Sequence, residues 1–215
     1  MRRNYEDIGL HVPEIMMPSE GTDLTAWAVI ACDQYTSQPE YWKEVEKIAS
    51  GKPSALYLTL PEIYLNDNDT ESRIMGINKT MEDYIKDGTS TKQEPGFILT
   101  DRATALNPSR KGLIIAVDLE KYDYSDNSQS LIRATEGTVL ERIPPRVKIR
   151  ENAALELPHI MLLIDDPEKT VIEPLFKMLD KFEKLYDFEL MQNGGHIKGW
   201  KISDEKVIEG IADAI

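Results

Sequence analysis

Cysteine is almost absent from this chain. Cys32 stands alone among 215 residues, which excludes an internal disulfide and a cysteine-rich zinc site. With no disulfide to protect, the composition reads as that of a protein of the reducing cytoplasm. Long apolar runs are also missing: none approaches the roughly 20 residues of a membrane helix. The basic start, Met1-Arg2-Arg3, leads into no apolar signal core, so no membrane partner is expected. Histidine is scarce, and His11, His159 and His196 lie too far apart for metal-ligand spacing. Positive charge is scarce too. Twenty-five Lys and Arg face 38 Asp and Glu, a formal net charge of -13, which argues against nucleic acid as a partner.

What is there is an ordinary globular composition, 41% apolar and 29% charged, long enough for one substantial core or two small ones. The pattern predicts a mixed α/β fold, a central sheet covered by three or four helices. Residues 1–215 form a single unit in this reading. Strands are expected at Trp27–Asp33, Leu56–Leu60, Gly96–Thr100, Gly112–Leu119, His159–Ile164 and His196–Ile202. Asn107-Pro108-Ser109 is turn chemistry and predicts a hairpin. Helices are expected from Pro39 to Gly51, from Thr70 to Asp87, from Glu168 to Tyr186, and after a Ser203 cap to the end. The last helix ends on apolar Ile215 with no Gly, Asn or Pro after it, which is read as the end of one unit of a longer protein.

One segment reverses the acidic balance. Between Arg133 and Arg150, four arginines and Lys148 stand against Glu136 and Glu141. Arg133, Arg142, Arg146 and Arg150 present forked donors suited to phosphate or carboxylate. Thr135 and Thr138 add hydroxyls, and Gly137 allows close backbone approach. Glu136 is the nearby acid, fit to act as a base or to hold a metal. The even spacing of Arg142, Arg146, Lys148 and Arg150 also suits one face of a solvated strand paired with acidic neighbours. A second candidate is Asp33, at the junction of an apolar run and a helix start. Its carboxylate is suited to metal binding or substrate orientation, and equally to capping the helix. Beside it, Cys32 reads as a buried structural residue rather than a nucleophile, because Asp33 disfavours a thiolate. No dedicated metal site is expected from these residues.

The string Trp27-Ala-Val-Ile-Ala-Cys-Asp-Gln-Tyr-Thr-Ser-Gln-Pro-Glu-Tyr-Trp42 resembles the opening of the domain of unknown function 1015 family. Arg133-Ala-Thr-Glu-Gly-Thr138 with Pro144-Pro145-Arg146 resembles its central segment, and Pro158–Asp166 and Gly195–Ile202 its later strands. Members are usually about twice this long, and a Gly-Asp-Gly-Asn-His-Ser or Asp-Gly-His-His-Arg string would follow the last helix. That string is similar to the nucleotide-binding string of the ParB and sulfiredoxin superfamily, some members of which phosphorylate free serine. The resemblance therefore implies nucleotide-dependent phosphotransfer to a small hydroxyl-bearing metabolite, with ATP or ADP and magnesium as cofactors. In that reading Glu136 or Asp33 is the catalytic acid or base, and Arg133, Thr135, Thr138, Arg142, Arg146 and Arg150 bind the anion. The alternative is a non-catalytic domain that binds a small anion or pairs its arginines with acidic surface.

Overall fold

A computed structural model describes residues 5–215, apart from 124, 126, 134–136 and 138. In chain order the regular elements are β1 (Leu10–His11), β2 (Ile15–Pro18), α1 (Leu24–Trp27), α2 (Pro39–Ala49), α3 (Thr70–Lys86), β3 (Ser90–Gln93), β4 (Phe97–Ala103), β5 (Arg110–Ile114), β6 (Ala116–Val117), α4 (Ile143–Arg150), β7 (Glu183–Leu190), β8 (Gly195–Ile202) and α5 (Glu205–Ala214). Six short 3-10 turns accompany them among the described residues. The fold is mixed α/β. Its main sheet is antiparallel, in the order β5-β4-β8-β7, and two small ribbons pair β1 with β6 and β2 with β3.

The sheet follows from alternation. Phe97 and Leu99 on β4 and Trp200 and Ile202 on β8 point to one face, where they meet Ile208 and Ile211 of α5. Val171 and Leu175, at the edge of a 3-10 stretch (Leu175–Lys181), complete that cluster. The β4–β5 hairpin turns as its sequence requires. Asn107 Oδ1 accepts from the Ser109 amide at 3.1 Å, and Ser109 Oγ donates to Asp101 at 2.8 Å. Helices α2 and α3 organise two further clusters rather than covering the same sheet. Trp42, Val45 and Ala49 of α2 meet Leu56 and Met191. Ile74, Ile77 and Met81 of α3 meet Leu58 and Leu60. The expected cover of three or four helices is thus seen in part.

Several sequence expectations are corrected. Trp27–Asp33 is no strand: Asp23 caps α1, whose last residue is Trp27, and the apolar residues beyond it pack on the Trp42 cluster without a neighbouring strand. Leu56–Leu60 is not a strand either. Ser54 is fully buried, accepts from the Leu56 amide and donates to the Ala26 carbonyl, so the chain winds into a 3-10 turn at Ala55–Leu58. The apolar run His159–Ile164 pairs with nothing among the described residues and has no regular structure. The helix expected at Glu168–Tyr186 shrinks to the 3-10 stretch, because Tyr186, Phe188 and Leu190 carry a period of two that β8 captures. The cap of α5 is Asp204 rather than Ser203, with Oδ1 accepting from the Val207 amide. Most consequential for the site, Arg142–Arg150 does not lie on a strand. Pro144 and Pro145 occupy the first turn of α4, where a missing amide costs nothing.

Candidate functional site

The change from strand to helix decides which basic side chains converge. Residues four apart share a helix face. Arg142, at the N-cap of α4, and Arg146, one turn later, both reach Glu62. Arg142 Nη1 stands 3.2 Å from Glu62 Oε2, and Arg146 Nη2 donates to Oε1. The Glu62 side chain is 4% exposed, whereas those of Arg142 and Arg146 are 42% and 38% exposed. Two guanidinium groups therefore neutralise one buried carboxylate and leave one positive charge. Each guanidinium has five N–H donors, so each keeps donors beyond the one that meets Glu62.

Glu62 is held from behind. Its amide donates to the carbonyl of Cys32 at 2.8 Å, which brings the loop carrying Cys32 and Asp33 to the arginine pair. Cys32 is buried, and burial pushes its thiol up despite the pull of the Arg146 charge; Asp33 and Glu62 push the same way. The cysteine is accordingly protonated and structural. Asp33 is exposed and does not cap α2, whose N-cap is Gln38; among the described residues its carboxylate accepts a long contact from the Gln34 side chain at 3.3 Å.

The other members of the basic segment go elsewhere. Lys148 pairs with Glu71 on α3, and Arg150 pairs with Glu156 at 2.6 Å. Arg133 donates through Nε to the carbonyl of Ser130. Thr135, Glu136 and Thr138 lie outside the described residues. The structure thus brings Arg142 and Arg146 together on Glu62, ties the Cys32 backbone next to Asp33 to the same residue, and pairs Arg150 elsewhere. Among the described residues, no group of three or more His, Cys, Asp or Glu side chains is arranged around a metal position. No helix among them is long and apolar enough to cross a membrane.

Sequence reading missed Glu62. Its signal is an acid set inside the apolar stretch Leu56–Leu65, a place where a charge persists only if paired. A second histidine-centred group was also missed. His196 on β8 contacts Asp187 at 2.5 Å and Glu189 at 2.6 Å, both on β7 and two residues apart, hence on one face. These two carboxylates, Asp187 foremost, raise the imidazole above its ordinary range.

A comparison with curated proteins finds no match, and neither does a comparison with solved structures. The family described as protein of unknown function (DUF1015) matches residues 16–215, all of the site included. The chain belongs to that family.

Proposed function

We propose that this unit binds a small anionic ligand at Arg142 and Arg146. The observation that carries the reading is the imbalance at Glu62: two half-exposed guanidinium groups share one buried carboxylate. Glu62 holds the forks in place, so a phosphate or carboxylate meets donors already oriented. The ligand would be a metabolite rather than nucleic acid, given a net charge of -13, and the protein would work in the cytoplasm.

The sharper form of this reading is nucleotide-dependent phosphotransfer to a small hydroxyl compound. Asp33 favours it, being an exposed carboxylate on the residue next to Cys32, whose carbonyl anchors Glu62. A single carboxylate suits magnesium when a nucleotide supplies the remaining oxygens, so ATP or ADP with magnesium fits the donors present. Charge neutralisation by Arg142 and Arg146 would then provide the protein's main contribution to the rate.

The test is a thermal-shift screen with ATP, ADP, magnesium, serine and phosphate, run on this chain and on an Arg142→Gln/Arg146→Gln variant. A ligand at about 100 times its dissociation constant stabilises by about 2.7 kcal/mol, a shift easily read. The expected result is a shift in the parent chain that the double variant lacks. No shift with any anion would sink the proposal and leave the arginines as a latch on Glu62, the interaction-domain alternative.

A further inference from the structure

The face of the main sheet turned away from α5 carries two arginines directly opposite each other. Arg102 on β4 and Arg110 on β5 are register partners, and Lys111, their neighbour on the opposite face, stacks over Phe176 at 4.9 Å. Like charges directly across a strand pair repel. In an acidic chain such a pair would be expected to find carboxylates. Yet among the described residues neither arginine has one within ion-pair distance. Arg102 Nη2 donates to the carbonyl of Gly194 at 2.9 Å, while its Nε is buried with no acceptor. A buried donor without a partner is costly and rare. Arg102 sits below its ordinary value because of burial first and the Arg110 charge second.

Aromatic rings stand beside this pair. Tyr35 stacks on Tyr41 with centroids 3.9 Å apart and planes 12° apart, and Tyr41 meets Trp42 edge-on. Tyr35 is 40% exposed and adopts φ +54, a left-handed conformation unusual for a bulky residue. Arg102 donates to the Gly194 carbonyl, the Gly194 amide donates to the Met191 carbonyl, and Met191 sits in the Trp42 cluster that Tyr41 packs against, so the stack and the arginine adjoin the same β7–β8 turn.

We propose that Arg102, Arg110 and Tyr35 form a second binding site, whose ligand is a phosphate ester carrying a flat aromatic ring. The phosphate would accept from the exposed Arg110 guanidinium and the accessible edge of Arg102 and relieve the repulsion; the ring would extend the Tyr41–Tyr35 stack. This site does not depend on anion binding at Arg142 and Arg146. The two share no side chain.

The experiment is calorimetric titration of the full chain with phenyl phosphate and with glycerol 3-phosphate. Phenyl phosphate should bind at least about fivefold tighter, the scale of one stacking contact. Arg110→Gln should weaken it at least about tenfold, the loss of a charged hydrogen bond. Arg110 is exposed, so this variant should fold, and its unliganded melting temperature should rise as the repulsion disappears. Tyr35→Asn, which tolerates the left-handed backbone, should erase the preference for the ring. Arg142→Gln/Arg146→Gln should keep the tighter, ring-dependent binding of phenyl phosphate while losing any ring-independent phosphate binding. The proposal is overturned if phenyl phosphate does not bind, if Arg110→Gln binds it equally well, or if only the Arg142/Arg146 variant loses it; the last outcome assigns the ligand to the Glu62 site.

Discussion

Strand β4 and the run His159–Ile164 read alike in sequence, and their fates are opposite. In β4, Phe97, Ile98 and Leu99 are at most 8% exposed. In the other run, Ile160, Met161, Leu162, Leu163 and Ile164 are between 43% and 83% exposed. The second run is the more continuously apolar of the two. What it lacks is a neighbour. A hairpin turn delivers β5 to one side of β4, and β8 arrives on the other. The run at 159–164 is followed by Asp165-Asp166-Pro167, where Asp166 turns back to accept from the Thr170 and Val171 amides, and no strand lies beside it among the described residues. Apolar character is a demand for cover, and topology decides whether it is met.

Three measurements would break or sharpen that contrast. The largest effect is expected at the paired end. Phe97→Ala should cost about 3–5 kcal/mol in urea unfolding, since it empties a fully buried site. Leu163→Ala should stay within about 0.5 kcal/mol, because its side chain is already in water. Equal costs at both positions would mean that the run is covered in solution.

A middle effect is expected at the latch between the regions. Helix α4 leads into the run, and Ile149, Leu155 and Leu157 seat that stretch of chain on the α3 cluster. Glu62→Gln removes the charge that Arg142 and Arg146 grip and should cost about 1–3 kcal/mol. It should also speed proteolysis within 158–164 while leaving β4 protected. Unchanged cleavage there would mean that Glu62 does not secure α4.

The smallest effect belongs to His196, at the far end of the β7–β8 pair. Its imidazole is raised above the ordinary 6.5 by Asp187 and then Glu189. The protonated ring therefore favours the folded state. That contribution is fully present below about pH 6.5 and fades as pH rises through the higher folded value. A His196→Gln variant should lose this slope in a pH series of melting temperatures, and a slope that survives the substitution would place its origin in other groups.

Much of the fold was legible where local chemistry and tertiary need agreed. Pro39 opens α2, whose buried face is Trp42 and Val45; Gly88, at φ +80, stands just past α3; and Gly195, at φ +92, starts β8 with its α-carbon so close to the Ala103 carbonyl that a side chain would not fit. The failures share one cause. At Leu56–Leu60 and Glu168–Tyr186 the apolar spacing fits two periods, and long-range partners chose between them: the Ala26 carbonyl for Ser54, strand β8 for Tyr186 and Phe188. The candidate site divided the same way. The arginines were visible as a cluster, but which of them act together was not, because a strand and a helix group the same four residues differently.

By itself, the sequence determined the mixed α/β class, the positions of α2, α3, the β4–β5 hairpin and β8, and a basic segment within an acidic chain. These follow from periodicity, caps and turn residues, whose forces act over a few positions. Only the tertiary structure decided that Arg142 and Arg146 converge on Glu62, that Arg102 faces Arg110, and that the most apolar run stays unpaired among the described residues. Each depends on residues distant in sequence being brought together, which requires strand register and helix docking that no local pattern encodes.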